Sequence, residues 1–197
     1  MRERAESSAW DARINTMSQA ATKMTYTQYC LLPEDGKQYE VIDGELFMTP
    51  APRPKHQKIV LRLAEELSGF VRKSGLGEVF VAPVDVLLEQ HTILQPDVLF
   101  IRQERLAIVK EDAIEGPPDL VVEVLSPSTF YKDLRKKMTA YSQFGVQEYW
   151  IVDPETQTIE VYARRDDKLQ LARKFSSGES LESALLPGLR LAVKDVF

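Results

Sequence analysis

Apolar residues recur along this chain with two different periods, and the changes of period outline its elements. Tyr39-Glu40-Val41-Ile42 and Glu45-Leu46-Phe47-Met48 flank Asp43-Gly44, the dipeptide favoured by a two-residue type I′ turn, where both central residues need positive φ. They predict a β-hairpin. Prolines at 50, 52 and 54 interrupt the pattern. His56, Val60, Leu63, Leu67 and Phe70 then recur at three- and four-residue spacing up to Gly75 and Gly77, which predicts an amphipathic helix with glycine at its end. Glu78 to Leu88 reads as one extended stretch containing Pro83, Asp97 to Ile101 as a short strand after the Gln95-Pro96 turn, and Arg102 to Glu115 as charged loop with some helix.

Gly116-Pro117-Pro118 leads into Leu120-Val121-Val122-Glu123-Val124-Leu125, a continuous apolar run of the kind covered on both faces of a sheet. Ser126-Pro127-Ser128-Thr129 offers capping side chains and an early proline for a second helix to about Phe144, closed by Gly145. Tyr149 to Val152, Thr158 to Ala163 and Leu169 to Phe175 are further strands, the last two joined at Asp166-Asp167, and Pro187-Gly188 precedes a final apolar stretch. The order predicts an α/β or α+β fold, a mixed central sheet flanked by helices with an N-terminal β-hairpin. Residues 1–23 show no clean period and are expected to be a flexible or loosely helical extension, with 24–197 forming one domain.

Composition narrows the class. The chain has 197 residues, 44% hydrophobic and 28% charged, enough for a sizeable core. No run of about 18 apolar residues is present, so no membrane span is expected, and Met1 to Lys23 lacks an apolar signal region, so a cytoplasmic location is expected. A single cysteine, Cys30, excludes an intrachain disulfide and a cysteine zinc cluster. The net charge of -5 argues against a broadly basic nucleic-acid binder. Two local basic groups remain, Arg53, Lys55, Lys58 and Arg62 at the first helix and Lys132, Arg135 and Lys136 on the second; solvated faces and phosphate contacts are both open to them.

The chemistry centres on Glu123. An unpaired charge in such a strand costs several kcal/mol, so a divalent cation or a lysine is expected beside it. Asp97, after Gln95-Pro96, supplies a second acid on a neighbouring strand. The ordinary alternatives are a strand-edge acid and a turn-capping aspartate. On the second predicted helix, Phe130, Leu134, Met138, Tyr141 and Phe144 form an apolar face at about 100° per residue, and Lys137 projects into it. A snorkelling lysine would give the same pattern. There is no Walker-type glycine loop, Gly-x-Ser-x-Gly elbow or His-Glu-x-x-His pair.

Tyr39 to Leu46, the His56-Gln57 helix start, Gln95-Pro96-Asp97-Val98, Val122 to Thr129, Asp133 with Lys137, and Gly145 to Pro154 together resemble the Uma-type family of restriction endonucleases in the PD-(D/E)XK nuclease superfamily, from about Thr25 to the C-terminus. The resemblance implies a restriction-endonuclease-like core of helix, three-stranded meander, second helix and strand. It implies that Asp97, Glu123 and the Val124 carbonyl hold Mg²⁺ or Mn²⁺, hard cations that take oxygen ligands, for hydrolysis of DNA. A homodimer is expected, because cutting both strands needs two sites.

One position departs from the superfamily pattern: Leu125 stands where a lysine follows the second acid by two residues. Either the site is inactive and the chain is a nucleic-acid- or protein-binding module, or Lys137 is the migrated lysine, with Asp133 one turn earlier orienting it. His56 is a cap, a core histidine or a residue that activates water or contacts phosphate, and Glu40 and Asp85 are candidate further acids. His91 is expected in a loop and Asp43 in the turn. A phosphoesterase acting on RNA or a small nucleotide would need the same acids.

Overall fold

The computed structural model describes residues 23–33, 35–49, 51–126 and 131–197. The expected extension over 1–22 and the expected capping residues Pro127, Ser128 and Thr129, with Phe130, lie outside the described residues, as do the side chains of 131–133. The elements begin with a short helix α1 (Tyr26–Tyr29), strands β1 (Gln38–Ile42) and β2 (Glu45–Thr49), and the long helix α2 (Pro54–Ser74). Strands β3 (Gly77–Val81), β4 (Val86–Glu89), β5 (Thr92–Leu94) and β6 (Val98–Arg102) follow, then a 3₁₀ turn (Gln103–Ile108), β7 (Ile114–Glu115) and β8 (Leu120–Val124). Helix α3 (Tyr131–Phe144) precedes β9 (Glu148–Asp153), β10 (Thr158–Arg165), β11 (Lys168–Ser176), β12 (Ser180–Glu182), β13 (Arg190–Ala192) and the terminal turn of helix α4 (Val193–Val196).

Local chemistry explains the boundaries. Asp43 and Gly44 both have positive φ, 54° and 81°, as the predicted type I′ turn requires. Helix α2 carries Pro54 in its first turn and ends at Gly75, whose left-handed φ of 64° lets its N–H reach the carbonyls of Arg72 and Val71.

The main sheet has the order β11-β10-β9-β8-β6-β3, with β8 and β9 parallel and the other neighbours antiparallel. It is therefore mixed, and helix α2, the meander β3-β6-β8, helix α3 and strand β9 form the core arrangement expected from the sequence. Because side chains alternate along a strand, Val98, Phe100, Leu120, Val122, Trp150 and Val152 meet α2 through Leu63, Leu67 and Val71. Val121, Tyr149 and Ile151 face the other way, into a cluster with Leu134, Ala140 and Tyr141 of α3 and Ile42 of β1. Glu123 shares that second face.

Two expectations are corrected. Glu78 to Leu88 is not one stretch: β3 lies in the main sheet, and after Ala82-Pro83 the chain enters a second sheet through β4. Proline has no N–H for a ladder, so the break falls there. Thr92 to Leu94 is a strand that the pattern did not announce, and β7 ends the segment taken as loop. The expected N-terminal hairpin forms one side of the second sheet, which runs β2-β1-β5-β4-β7, with Val41 opposite Ile93.

Candidate acid site

The site forms where β6, β8, α3, α2 and the hairpin meet. Val98 pairs with Val122 across antiparallel β6 and β8, so one residue further out Asp97 stands across from Glu123. Asp97 Oδ2 accepts the Val124 N–H at 2.7 Å. From the first turn of α2, His56 Nε2 lies 3.2 Å from the same Oδ2 and 3.1 Å from the Val124 carbonyl oxygen. The two oxygens that the resemblance assigns to a cation, one from Asp97 and one from Val124, are thus bridged by an imidazole nitrogen.

Lys137 turns inward from α3. Its Nζ lies 3.0 and 3.1 Å from the two oxygens of Glu123 and 2.8 Å from Glu40 Oε1. All three residues are withheld from water, at 8, 8 and 5% exposure for Lys137, Glu123 and Glu40, so a snorkelling lysine is ruled out. Glu40 Oε1 also accepts the Gln95 N–H at 2.7 Å, tying the hairpin to the turn before Asp97. Tyr141, one turn beyond Lys137, donates its hydroxyl to Glu123 Oε1 at 2.9 Å.

The electrostatics follow from burial. Glu123 is pushed up to about 7, by desolvation first; Lys137 pulls it down, and the neighbouring carboxylates Asp97 and Glu40 push it up again. Burial works against the ammonium of Lys137, but Glu123 and Glu40 outweigh it and hold its pKa well above the usual lysine range. Burial likewise works against a charged His56 ring. The hydrogen bond and charge of Asp97 prevail, and its pKa is raised.

Asp85 does not join this cluster. It accepts from Tyr29 Oη at 2.8 Å and Gln95 Nε2 at 2.7 Å, a separate network joined to Glu40 through Gln95. His91 is in a loop contact with the Met24 carbonyl at 2.9 Å, and Asp43 is in the turn. The side chain of Asp133 lies outside the described residues. Tyr141 and Gln95 went unrecognised from sequence: Tyr141 reads only as part of an apolar face, and Gln95 only as part of the turn before Asp97, whereas it joins Glu40 through its backbone N–H and Asp85 through its side chain.

The basic residues are partly engaged. Lys136 reaches Glu45 at 2.5 Å and lies 4.6 Å from the Phe47 ring, Arg62 bonds the Phe197 carbonyl at 2.7 Å, and Lys55 bonds the Pro154 carbonyl at 2.9 Å. Arg53 and Lys58 are exposed on either side of His56. Two clefts of about 440 and 370 Å³ flank α3. Neither is lined by Glu123, Lys137 or Asp97, so the concave surface and the acid cluster are neighbours and do not coincide.

Two carboxylates and a carbonyl form a hard oxygen set suited to a cation that retains several waters. Among the described residues no group of three or more His, Cys, Asp and Glu side chains is arranged to hold a metal ion. Among the described residues, three buried side-chain atoms have no partner, His56 Nδ1, Gln95 Oε1 and Tyr149 Oη, and they belong to residues around this cluster. The donor chemistry fits the cation, with the conditions that His56 Nε2 yields the two oxygens it now bridges and that Lys137 gives up one of the two Glu123 oxygens it holds.

The fold and the acid cluster define a restriction-endonuclease-like protein. The model of the Uma2 family, described as "Putative restriction endonuclease", matches residues 25–194, and the chain belongs to that family. A solved structure from Anabaena variabilis, described as a "putative nuclease belonging to DUF820", is similar over 88% of this chain and 97% of that one, with a TM-score of 0.75 and 23% identity. No curated protein matches the sequence. Among the described residues, no helix is long and apolar enough to cross a membrane.

Proposed function

We propose that the protein is a Mg²⁺- or Mn²⁺-dependent endonuclease that hydrolyses DNA phosphodiester bonds, acting as a homodimer. The observation that carries this reading is the contact of the buried Lys137 Nζ with Glu123 at 3.0 Å, on the strand beside Asp97. It supplies from α3 the lysine that is missing at Leu125. Asp97, Glu123 and the Val124 carbonyl would hold the cation, which when bound polarises a phosphodiester oxygen and lowers the pKa of a coordinated water. Lys137 stabilises charge developing on the scissile phosphate, and Glu40 holds the amine in place from the other side. His56, bonded to Asp97, is placed to accept or return a proton at Nε2 once it leaves the Val124 carbonyl. Arg53 and Lys58 beside His56 are placed to contact DNA phosphates.

The second reading, a catalytically inactive binding module on the same fold, draws on Leu125 and on the tight pairing of Lys137 between two acids. Plasmid nicking with Mn²⁺ separates the two. Cleavage by the wild type that falls by about 10²–10³ in Lys137→Ala, as for loss of one preorganised donor, supports the nuclease. Equal rates reject the role of Lys137, and absence of cleavage by wild type with any divalent metal favours the binding module.

A further inference from the structure

Helix α3 brings two donors to Glu123. Lys137 and Tyr141 are four residues apart and therefore on one face. Glu123 Oε1 receives Tyr141 Oη at 2.9 Å and Lys137 Nζ at 3.0 Å, whereas Oε2 has Lys137 alone at 3.1 Å. The carboxylate is therefore held asymmetrically, with Oε2 the oxygen left more open to a further electrophile. Tyr141 is fully buried and its ring packs against Tyr149 with centroids 5.3 Å apart, which fixes the direction of the hydroxyl. Tyr149 is equally buried, yet its hydroxyl has no partner.

We infer that Tyr141 is a positioning residue, acting through Glu123: its hydroxyl fixes which carboxylate oxygen is presented to a divalent cation. The inference rests on the nuclease reading of the acid site. Groups that orient metal ligands typically change metal affinity by about 10–100-fold when removed, and a loss in that range is expected here. A merely structural tyrosine would lower the melting temperature and leave affinity unaltered.

The test compares wild type, Tyr141→Phe and Tyr149→Phe by calorimetric titration with Mn²⁺, with urea melts to confirm that each variant is folded. Both changes keep the ring, and volume-conserving replacements are well tolerated in cores. Tyr141→Phe should bind Mn²⁺ at least about 10-fold more weakly, while Tyr149→Phe, which loses an equally buried but unbonded hydroxyl, should match wild type. Equal affinity of wild type and Tyr141→Phe overturns the inference, and so does an equal loss in both variants. If wild type takes up no Mn²⁺, the metal-site reading fails by itself, and the crystal structure of Tyr141→Phe decides the positioning claim: a Glu123 carboxylate turned from its wild-type orientation sustains it, an unmoved one overturns it.

Discussion

Replacing Lys137 by methionine tests the arrangement on which the site depends. Methionine keeps an unbranched apolar stem of similar length, so the packing between Leu134 and Tyr141 is largely preserved and the ammonium is what is lost. That ammonium now sits 2.8 Å from Glu40 and 3.0 Å from Glu123, both buried. Removing one partner of a buried ionic group leaves uncompensated charge and typically costs about 3–5 kcal/mol; here two carboxylates are left facing each other, which places the expectation in the upper half of that range. For a chain of this size each kcal/mol lowers the melting temperature by about 2–4 °C, so a fall of roughly 8–20 °C is expected. Urea titration at pH 7.5 measures the free energy directly. Neutralising the acids as well, in Glu40→Gln/Glu123→Gln/Lys137→Met, should recover most of the loss, since replacing a whole buried ionic group is often near neutral. A single Lys137→Met variant within about 1 kcal/mol of wild type would refute the buried cluster, because the observed range for broken buried pairs lies well above that.

Glu123 also gives the fold a pH signature. Its folded pKa of about 7 lies above its reference value of 4.5, so its contribution is fully present below the unfolded value and is lost as pH rises towards 7, a loss on the order of 3 kcal/mol. Urea melts between pH 4.5 and 7.5 should show wild type losing that much relative to Glu123→Gln, and parallel curves would contradict the raised pKa. On the outer surface, changing Arg53, Lys55 and Lys58 together to glutamine should weaken duplex binding and reduce the salt slope by up to about 2.7, roughly 0.9 per phosphate. An unchanged slope in fluorescence anisotropy would leave this face simply solvated.

What was legible in the sequence was local. Asp43-Gly44, the three- and four-residue spacing from His56 to Phe70, and Gly75 each act within a few residues, and the hairpin and α2 follow from them. The core order of helix, meander, helix and strand was equally accessible, because each piece has its own period. Strand β5 was not, since three residues carry no usable period and its pairing with β1 joins Val41 to Ile93, far apart in the chain. The direction of Glu40 was hidden for a different reason. Glu40, Val41 and Ile42 are all buried, so alternation along β1 gave no outward face from which the inward one could be inferred.

A lone acid in an apolar strand is only half of a functional signal, and this protein contains its own control. Glu148 begins β9 and is buried, at 1% exposure. Its carboxylate is answered by neutral donors only, Trp150 Nε1 and Ser183 Oγ at 2.7 Å and the Leu185 N–H at 3.3 Å, which pin the segment before β13 against the sheet. Asp119 is likewise buried, and Arg105 at 2.8 Å and the Arg102 N–H at 3.0 Å satisfy it at the rim of β8. Glu148 draws in no second carboxylate among the described residues, and at Asp119 the second acid is the exposed Glu104, 3.9 Å from the Arg102 that lies 3.7 Å from Asp119. Glu123 differs because it faces one lysine shared with Glu40 and stands across a strand pair from Asp97, so like charges are gathered where separation would lower the energy. Lys137 compensates Glu123 and Glu40 within the fold, and the nuclease reading adds a cation between Glu123 and Asp97, the third acid gathered at this point.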